Sequence, residues 1–150
     1  MIVCPDDYLL IGGRYVWTPE RVKVAWDRAR DTFKGHLTWG KPRKVVLLMG
    51  APAAGKSYWL SSNMEPGVLY FDATFDLPWK REPFINEALA AKLEVEIVWI
   101  DTPLEICIGR NASRSSDRQV PEEVLREMFV KIATNPPTCL KGVSIIRVQP

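Results

Sequence analysis

Histidine occurs once in the 150 residues, as His36, and the three cysteines, Cys4, Cys107 and Cys139, are scattered. That leaves no metal-binding spacing and no paired-thiol framework, so reduced thiols in a cytoplasmic setting are expected. No apolar run is long enough to span a bilayer, and Asp6 and Asp7 interrupt the N-terminus where a signal peptide would need its apolar stretch. No membrane partner is therefore expected. The net charge is only +2, which excludes a global field of the kind that marks strongly basic nucleic-acid binders. Any such contact must rest on local patches. There is no repeat and no low-complexity tract. The hydrophobic fraction of 47% suffices for one core, and the length predicts one domain over 1–150.

Against this plain background stands one informative stretch, Gly50-Ala51-Pro52-Ala53-Ala54-Gly55-Lys56-Ser57. Two glycines with four residues between them, then Lys and Ser, fit the loop that cradles phosphates. Gly50 and Gly55 permit backbone angles that turn successive N–H groups onto phosphate oxygens. Lys56 adds a cation for the outer phosphates, and the Ser57 hydroxyl is placed to ligate Mg²⁺. Val45-Val46-Leu47-Leu48-Met49 before the loop reads as a buried parallel strand, and Tyr58-Trp59-Leu60 after it as the start of a helix. The helix points its positive end at the same phosphates. ATP or another nucleoside triphosphate, with Mg²⁺, is the expected ligand.

Further elements follow from pattern. Met1–Cys4 reads as a strand ended by Pro5-Asp6-Asp7. Residues 8–18, with Gly12, Gly13, Arg14, Tyr15 and Trp17, read as an exposed loop, suited to stacking on a base or gripping phosphate, or else to a lid or packing. Thr18-Pro19 starts a helix with Val22, Trp26, Ala29, Phe33 and Leu37 on its buried face. Val68–Phe71 is a strand ended by Asp72. A helix runs from Leu77-Pro78 to about Lys92, broken or restarted near Pro83. Val95–Ile100 is a strand, followed by a helix with Thr102 and Glu105 as its capping box. Arg118 lies in a Ser- and Asp-rich segment expected to be mobile. Another helix starts at Pro121 with Val124, Leu125, Met128, Phe129 and Ile132 inward, and Val143–Val148 is the fifth strand. The sum is an α/β fold of three layers with a five-stranded, mostly parallel sheet.

Several charged residues allow two roles. Asp6 and Asp7 follow a strand end, where ligands bind in open α/β sheets, and are either base or metal ligand or a solvated strand end. Asp72 is either an outer Mg²⁺ contact or a turn cap. Arg110, Arg114 and Arg118 are spaced like the cations of a phosphate lid, or else pair with Asp117 or Glu122 on the surface. His36, beside Leu37 late in its helix, has no catalytic partner in sight.

Asp101-Thr102-Pro103-Leu104-Glu105, Arg110-Asn111-Ala112-Ser113-Arg114 and Val120-Pro121-Glu122-Glu123-Val124-Leu125-Arg126-Glu127-Met128-Phe129 together resemble the kinase domain of phage 5′-hydroxyl polynucleotide kinase and its relatives. Residues 68–81, with Asp72, Thr74, Pro78 and Arg81, are similar to that family's third strand and following turn. With the loop, the resemblance covers about 45–132. In that family the strand bearing the general base follows the loop's helix, and no such strand fits between Ser62 and Val68 here. Ile2-Val3-Cys4-Pro5-Asp6-Asp7-Tyr8 looks like the missing unit moved to the N-terminus. The sheet order then expected is N-terminal strand, Val68 strand, Val45 strand, Val95 strand, Val143 strand.

The resemblance implies ATP-dependent transfer to the 5′-hydroxyl of single-stranded or end-exposed DNA or RNA, in the cytoplasm (the host's, if the chain is phage-encoded). It implies Asp6 as general base, and Lys56, Arg110 and Arg114 on the ATP phosphates. It leaves Ser57 and Asp72 for the metal, and Asp7 and Arg14 on the acceptor side. Where the family often carries an arginine after the Asp pair, this chain has Leu9. Nothing corresponds to the phage enzyme's phosphatase domain. A small-molecule kinase, acting on a sugar, nucleoside or nucleotide sugar, shares the fold and loop. A nucleotide-binding module without transfer activity also shares them.

Overall fold

A strand that is apolar on both faces needs cover on both, and the chain provides it around Lys44–Met49. A computed structural model describes residues 1–150. Val45 to Met49 are all buried, as a central parallel strand requires. In chain order the strands are β1 (Ile2–Val3), β2 (Leu10–Ile11), β3 (Arg14–Tyr15), β4 (Lys44–Met49), β5 (Val68–Asp72), β6 (Glu94–Ile100) and β7 (Val143–Val148). The helices are α1 (Pro19–Gly35), α2 (Lys56–Asn63), α3 (Pro78–Ala90), α4 (Leu104–Ala112) and α5 (Glu122–Thr134).

The main sheet has the order β1-β5-β4-β6-β7, and every pairing is parallel. This is the order expected from the sequence, with the N-terminal strand at one edge. From β4 the chain passes to β5 on one side and then to β6 on the other. The crevice outside the strand ends at such a reversal is where open α/β sheets bind ligands, and the phosphate-loop motif begins there.

Adjacent strand residues face opposite layers, and β5 shows both. Phe71 stands in an aromatic cluster, with ring centroids 4.3 Å from Phe84 of α3 and 5.9 Å from both Trp26 and Phe33 of α1. Tyr70 faces the other way, and its hydroxyl meets the end of α2, accepting from Glu65 N at 2.9 Å and donating to Asn63 O at 3.3 Å. Helices thus cover both faces, which completes the three layers.

Local details depart from expectation for identifiable reasons. The N-terminal strand is two residues rather than four, because Pro5 opens a 3₁₀ turn over Pro5–Leu9. The expected loop at 8–18 contains a hairpin, β2 paired antiparallel with β3. Gly12 and Gly13, at φ 57° and 80°, supply its left-handed turn. Helix α3 runs unbroken through Pro83. Phe84, Ile85 and Ala88 are buried on its core face, and that packing outweighs one lost hydrogen bond. Thr102 does not cap α4, since its hydroxyl is used elsewhere, and Val124 is exposed while Leu125 and Ile132 face inward.

Phe71 joins three elements through one ring, so Phe71→Ala is expected to lower unfolding free energy by about 4 kcal/mol. Urea denaturation monitored by far-UV circular dichroism measures this; a loss under about 1 kcal/mol would mean the cluster is not the anchor of this layer.

Candidate functional site

The loop between β4 and α2 can pass close to β6 only because residue 50 has no side chain. A Cβ on Gly50 would lie 2.8 Å from the Ile100 carbonyl oxygen. Ala53 and Gly55 take left-handed backbone, at φ 62° and 105°, and α2 starts at Lys56. The loop is tied down at the Ala54 carbonyl, which accepts from the buried Thr102 hydroxyl at 2.6 Å and from Arg110 Nη1 at 3.2 Å. Thr102, at the end of β6, therefore holds the loop rather than a helix terminus. Lys56 Nζ donates back to the loop carbonyls of Gly50 at 3.0 Å and Ala51 at 3.1 Å.

Over the strand ends lies a cleft of about 1190 Å³ whose walls include Asp6, Lys56, Ser57, Asp72, Arg110 and Arg114. Pro52, Ala53, Ala54, Gly55, Asp7 and Arg118 also line it. Asp6 arrives there because β1 pairs beside β5, Val3 opposite Phe71, and the 3₁₀ turn follows at once. Gly50 and Ala51 form the loop's base behind the lining. Arg14 does not reach the cleft. Its charge acts on Asp117 instead, whose carboxyl is held below its ordinary range first by the Tyr15 backbone N–H.

The arginine segment after α4 was expected to be mobile and is held shut at its base. Asn111, buried, donates to Val120 O at 2.6 Å and accepts from Val120 N at 3.0 Å. Gln119 Nε2 donates to the carbonyls of Ala112 and Arg114. Helix α4 ends at Ala112, so Arg114 sits one turn beyond it, its N–H bonded to Asn111 O at 3.2 Å. None of Arg110, Arg114 and Arg118 is in an ion pair; Glu122 pairs with Arg126. The surface salt bridge with Asp117 or Glu122 is absent, and Asp117 instead bonds to the hairpin, accepting from Tyr15 N at 3.0 Å.

The charges in the cleft disturb one another. Burial pushes the Asp6 carboxyl up; Lys56 opposes this, while Asp72 and Asp7 add to it. Asp7 moves the same way, from burial first and Asp72 second. Burial pushes Lys56 down against the pull of Asp72, with Arg114 adding to the fall. The nearby Cys4 thiol is pushed up to about 12, by burial first and then by Asp72 and Asp6, so it is no nucleophile at neutral pH. Ser57 Oγ donates to Asp72 Oδ2 at 3.3 Å. A hydroxyl and a carboxylate oxygen at the start of α2 suit Mg²⁺, which takes few protein ligands and completes its shell with phosphate and water. No trio of His, Cys, Asp or Glu side chains is placed to cage a metal unaided.

Three elements of the site went unread in the sequence: the Thr102 tether, the Asn111–Val120 clasp and the Asp117 bridge to the hairpin. All are side chain–backbone bonds between distant residues, which no local pattern signals.

Over residues 67–133 the chain is similar to a protein family described as an AAA domain. The match runs from the turn before β5 through most of α5, just under half of the chain, and leaves the Gly50–Ser57 loop outside it. It supports a nucleotide-binding module of the phosphate-loop, kinase-like kind. No curated protein matches the chain. No helix is long and apolar enough to cross a membrane.

The upward shift of Asp6 links to stability. Its folded-state proton affinity exceeds the unfolded one, so its ionisation weakens the fold as pH rises above the ordinary carboxylate value. Asp6→Asn is therefore expected to raise the melting temperature at pH 7 and to match wild type near pH 3. Scanning calorimetry at both pH values measures this, and a lower melting temperature at pH 7 would show that the attraction of Lys56 dominates instead.

Proposed function

We propose that this chain is a single phosphate-loop kinase unit that transfers the γ-phosphoryl group of ATP to the 5′-hydroxyl end of DNA or RNA. The observation that carries the proposal is the meeting of one carboxylate from the N-terminal unit, Asp6, with Lys56, the Ser57–Asp72 pair and three unpaired arginines around one cleft. Phosphoryl transfer is mostly positioning and charge compensation, and it needs a cradle, a metal contact, a base and cations. Each has a candidate here. The cleft volume of about 1190 Å³ also exceeds the about 300–1,000 Å³ typical of one small ligand. A cleft of that size has room for a donor and an acceptor together, as a kinase of either kind requires.

In the proposed reaction the loop N–H groups and Lys56 hold the outer phosphates. Lys56 leaves the Gly50 and Ala51 carbonyls as they arrive. Ser57 and Asp72 would hold Mg²⁺, which when bound would supply charge neutralisation on the phosphates. Asp6 accepts the proton of the attacking 5′-hydroxyl, and its upward shift makes it a stronger base than a free carboxylate. Arg110 and Arg114 compensate charge on the transferring group; a planar guanidinium bridges two phosphate oxygens where an ammonium touches one. Asp7 lies on the acceptor side. The polynucleotide-kinase resemblance supports this assignment of roles, with the base-bearing strand relocated to the N-terminus.

Incubation with γ-labelled ATP, Mg²⁺ and oligonucleotides ending in 5′-hydroxyl or 5′-phosphate tests the proposal. Label is expected on the 5′-hydroxyl strand alone. Label only on a panel of sugars and nucleosides would favour the small-molecule kinase, and nucleotide binding without turnover would favour a binding module. Asp6→Asn is expected to keep ATP affinity and lose transfer by about 10²–10⁴-fold, whereas Lys56→Ala weakens both. An inactive Asp7→Asn beside an active Asp6→Asn would move the base to Asp7. The acid limb of the wild-type rate profile is expected above the ordinary carboxylate range, because Asp6 must be ionised to act.

A further inference from the structure

Residues 15–17 are held by four hydrogen bonds to other parts of the chain, yet their two rings are left facing the cleft. Tyr15 N donates to Asp117 Oδ2 at 3.0 Å. Val16 N donates to Leu9 O at 2.9 Å, and Val16 O accepts from Arg21 Nε at 3.0 Å. Trp17 Nε1 donates to the Asp117 carbonyl at 2.9 Å. The Tyr15 and Trp17 rings are stacked, with centroids 6.2 Å apart and planes within 22°. Both line the cleft, and Trp17 remains 44% exposed. A large indole held this firmly and left open to solvent is not serving the core. With its N–H already used, it has only its π face to offer.

The place of these rings matches a strand end. Asp6 and Leu9 share the 3₁₀ turn over Pro5–Leu9. Three residues of that turn advance about 6 Å, and crossing to Val16 adds about 5 Å. The aromatic segment therefore sits on the order of 10 Å from Asp6. A 5′-hydroxyl at Asp6 would bring its first bases over this surface. Arg118, whose guanidinium lies over the Tyr15 ring at 5.2 Å from its centroid, caps that ring with a cation, and a stacking surface edged by a cation suits single-stranded nucleic acid.

We propose that Trp17, backed by Tyr15 and Arg118, forms a stacking platform for the unpaired bases at the 5′ end of the acceptor strand, a site that rests on the proposed transfer to nucleic acid. Recognition by ring faces alone tolerates any base. It also supplies acceptor affinity in a chain that has Leu9, fully buried, directly after Asp7-Tyr8.

Anisotropy of a 3′-fluorescein-labelled 5′-hydroxyl oligothymidylate, measured with the full chain, tests this. Trp17→Ala is expected to weaken binding about tenfold, with ATP affinity unchanged as the sign of an intact fold. Trp17→Phe keeps a ring but loses the bond to Asp117, and is expected to stay within about threefold of wild type. The same strand made abasic at its first two nucleotides is expected to bind wild type as weakly as the intact strand binds Trp17→Ala. Equal wild-type affinity for intact and abasic strands would overturn the platform, as would no effect of Trp17→Ala or no wild-type binding at all. Should Trp17→Ala lose ATP affinity as well, the abasic comparison on wild type decides. Ring-dependent binding without label transfer from γ-labelled ATP would sink the kinase proposal and leave the platform standing.

Discussion

Two residue pairs hold the halves of the cleft together. Ile2 lies opposite Tyr70 and Val3 opposite Phe71, and through that short parallel ladder the residues just after β1 reach the loop before α2. The backbone bonds themselves are few: Tyr70 N to Met1 O at 2.8 Å and the terminal amino group to Val68 O at 3.3 Å lie at the same seam. What makes so short a ladder sufficient is the packing behind it. Helix α1 follows β1 in the chain and buries Ala25, Ala29 and Phe33 against the face that Phe71 presents. The hydrogen bonds set the register, and the apolar burial holds it there.

The same seam produces an electrostatic compromise. A carboxylate brought into a partly desolvated cleft beside two others is disfavoured in its charged form, and a lysine on the opposite wall is disfavoured in its own. Neither residue is where folding alone would put it. Opposed shifts of this kind, in a cleft, mark functional sites more often than structural ones. None of the three arginines has the carboxylate partner that a surface guanidinium commonly finds. The cleft thus gathers cations that no surface carboxylate neutralises.

Much of the fold was readable in advance because it rests on local chemistry. Apolar runs marked β4, β5 and β6, Thr18-Pro19 marked the start of α1, and the Gly50–Ser57 spacing marked the loop. The strand order was accessible because residues 2–8 had a recognisable counterpart elsewhere in a related pattern. The errors have a common cause. Thr102 and Glu105 have the spacing of a capping box, but a buried carbonyl at Ala54 competes for the hydroxyl and takes it. Pro83 signals a break, but its neighbours are held in the core. Ser- and Asp-rich composition suggested mobility for the segment around Arg118, and Asn111 closes it. In each case a tertiary partner, invisible in a local window, overrides a local preference. The placement of the candidate site followed from the strand order, whereas the bonds that stiffen it did not.

Asp117 joins the hairpin to the arginine segment across 102 residues of chain at Tyr15 and 100 at Trp17. Contacts so distant along the chain are slow to form, because a long loop must close before they yield any energy. Strand β1 has no sheet partner until β5 is made, with α1 and β4 lying between them in the chain. The hairpin, though paired within itself, lacks its anchor until residue 117 is made. The two walls of the cleft therefore come together only after the residues between them, 18–116, have been made.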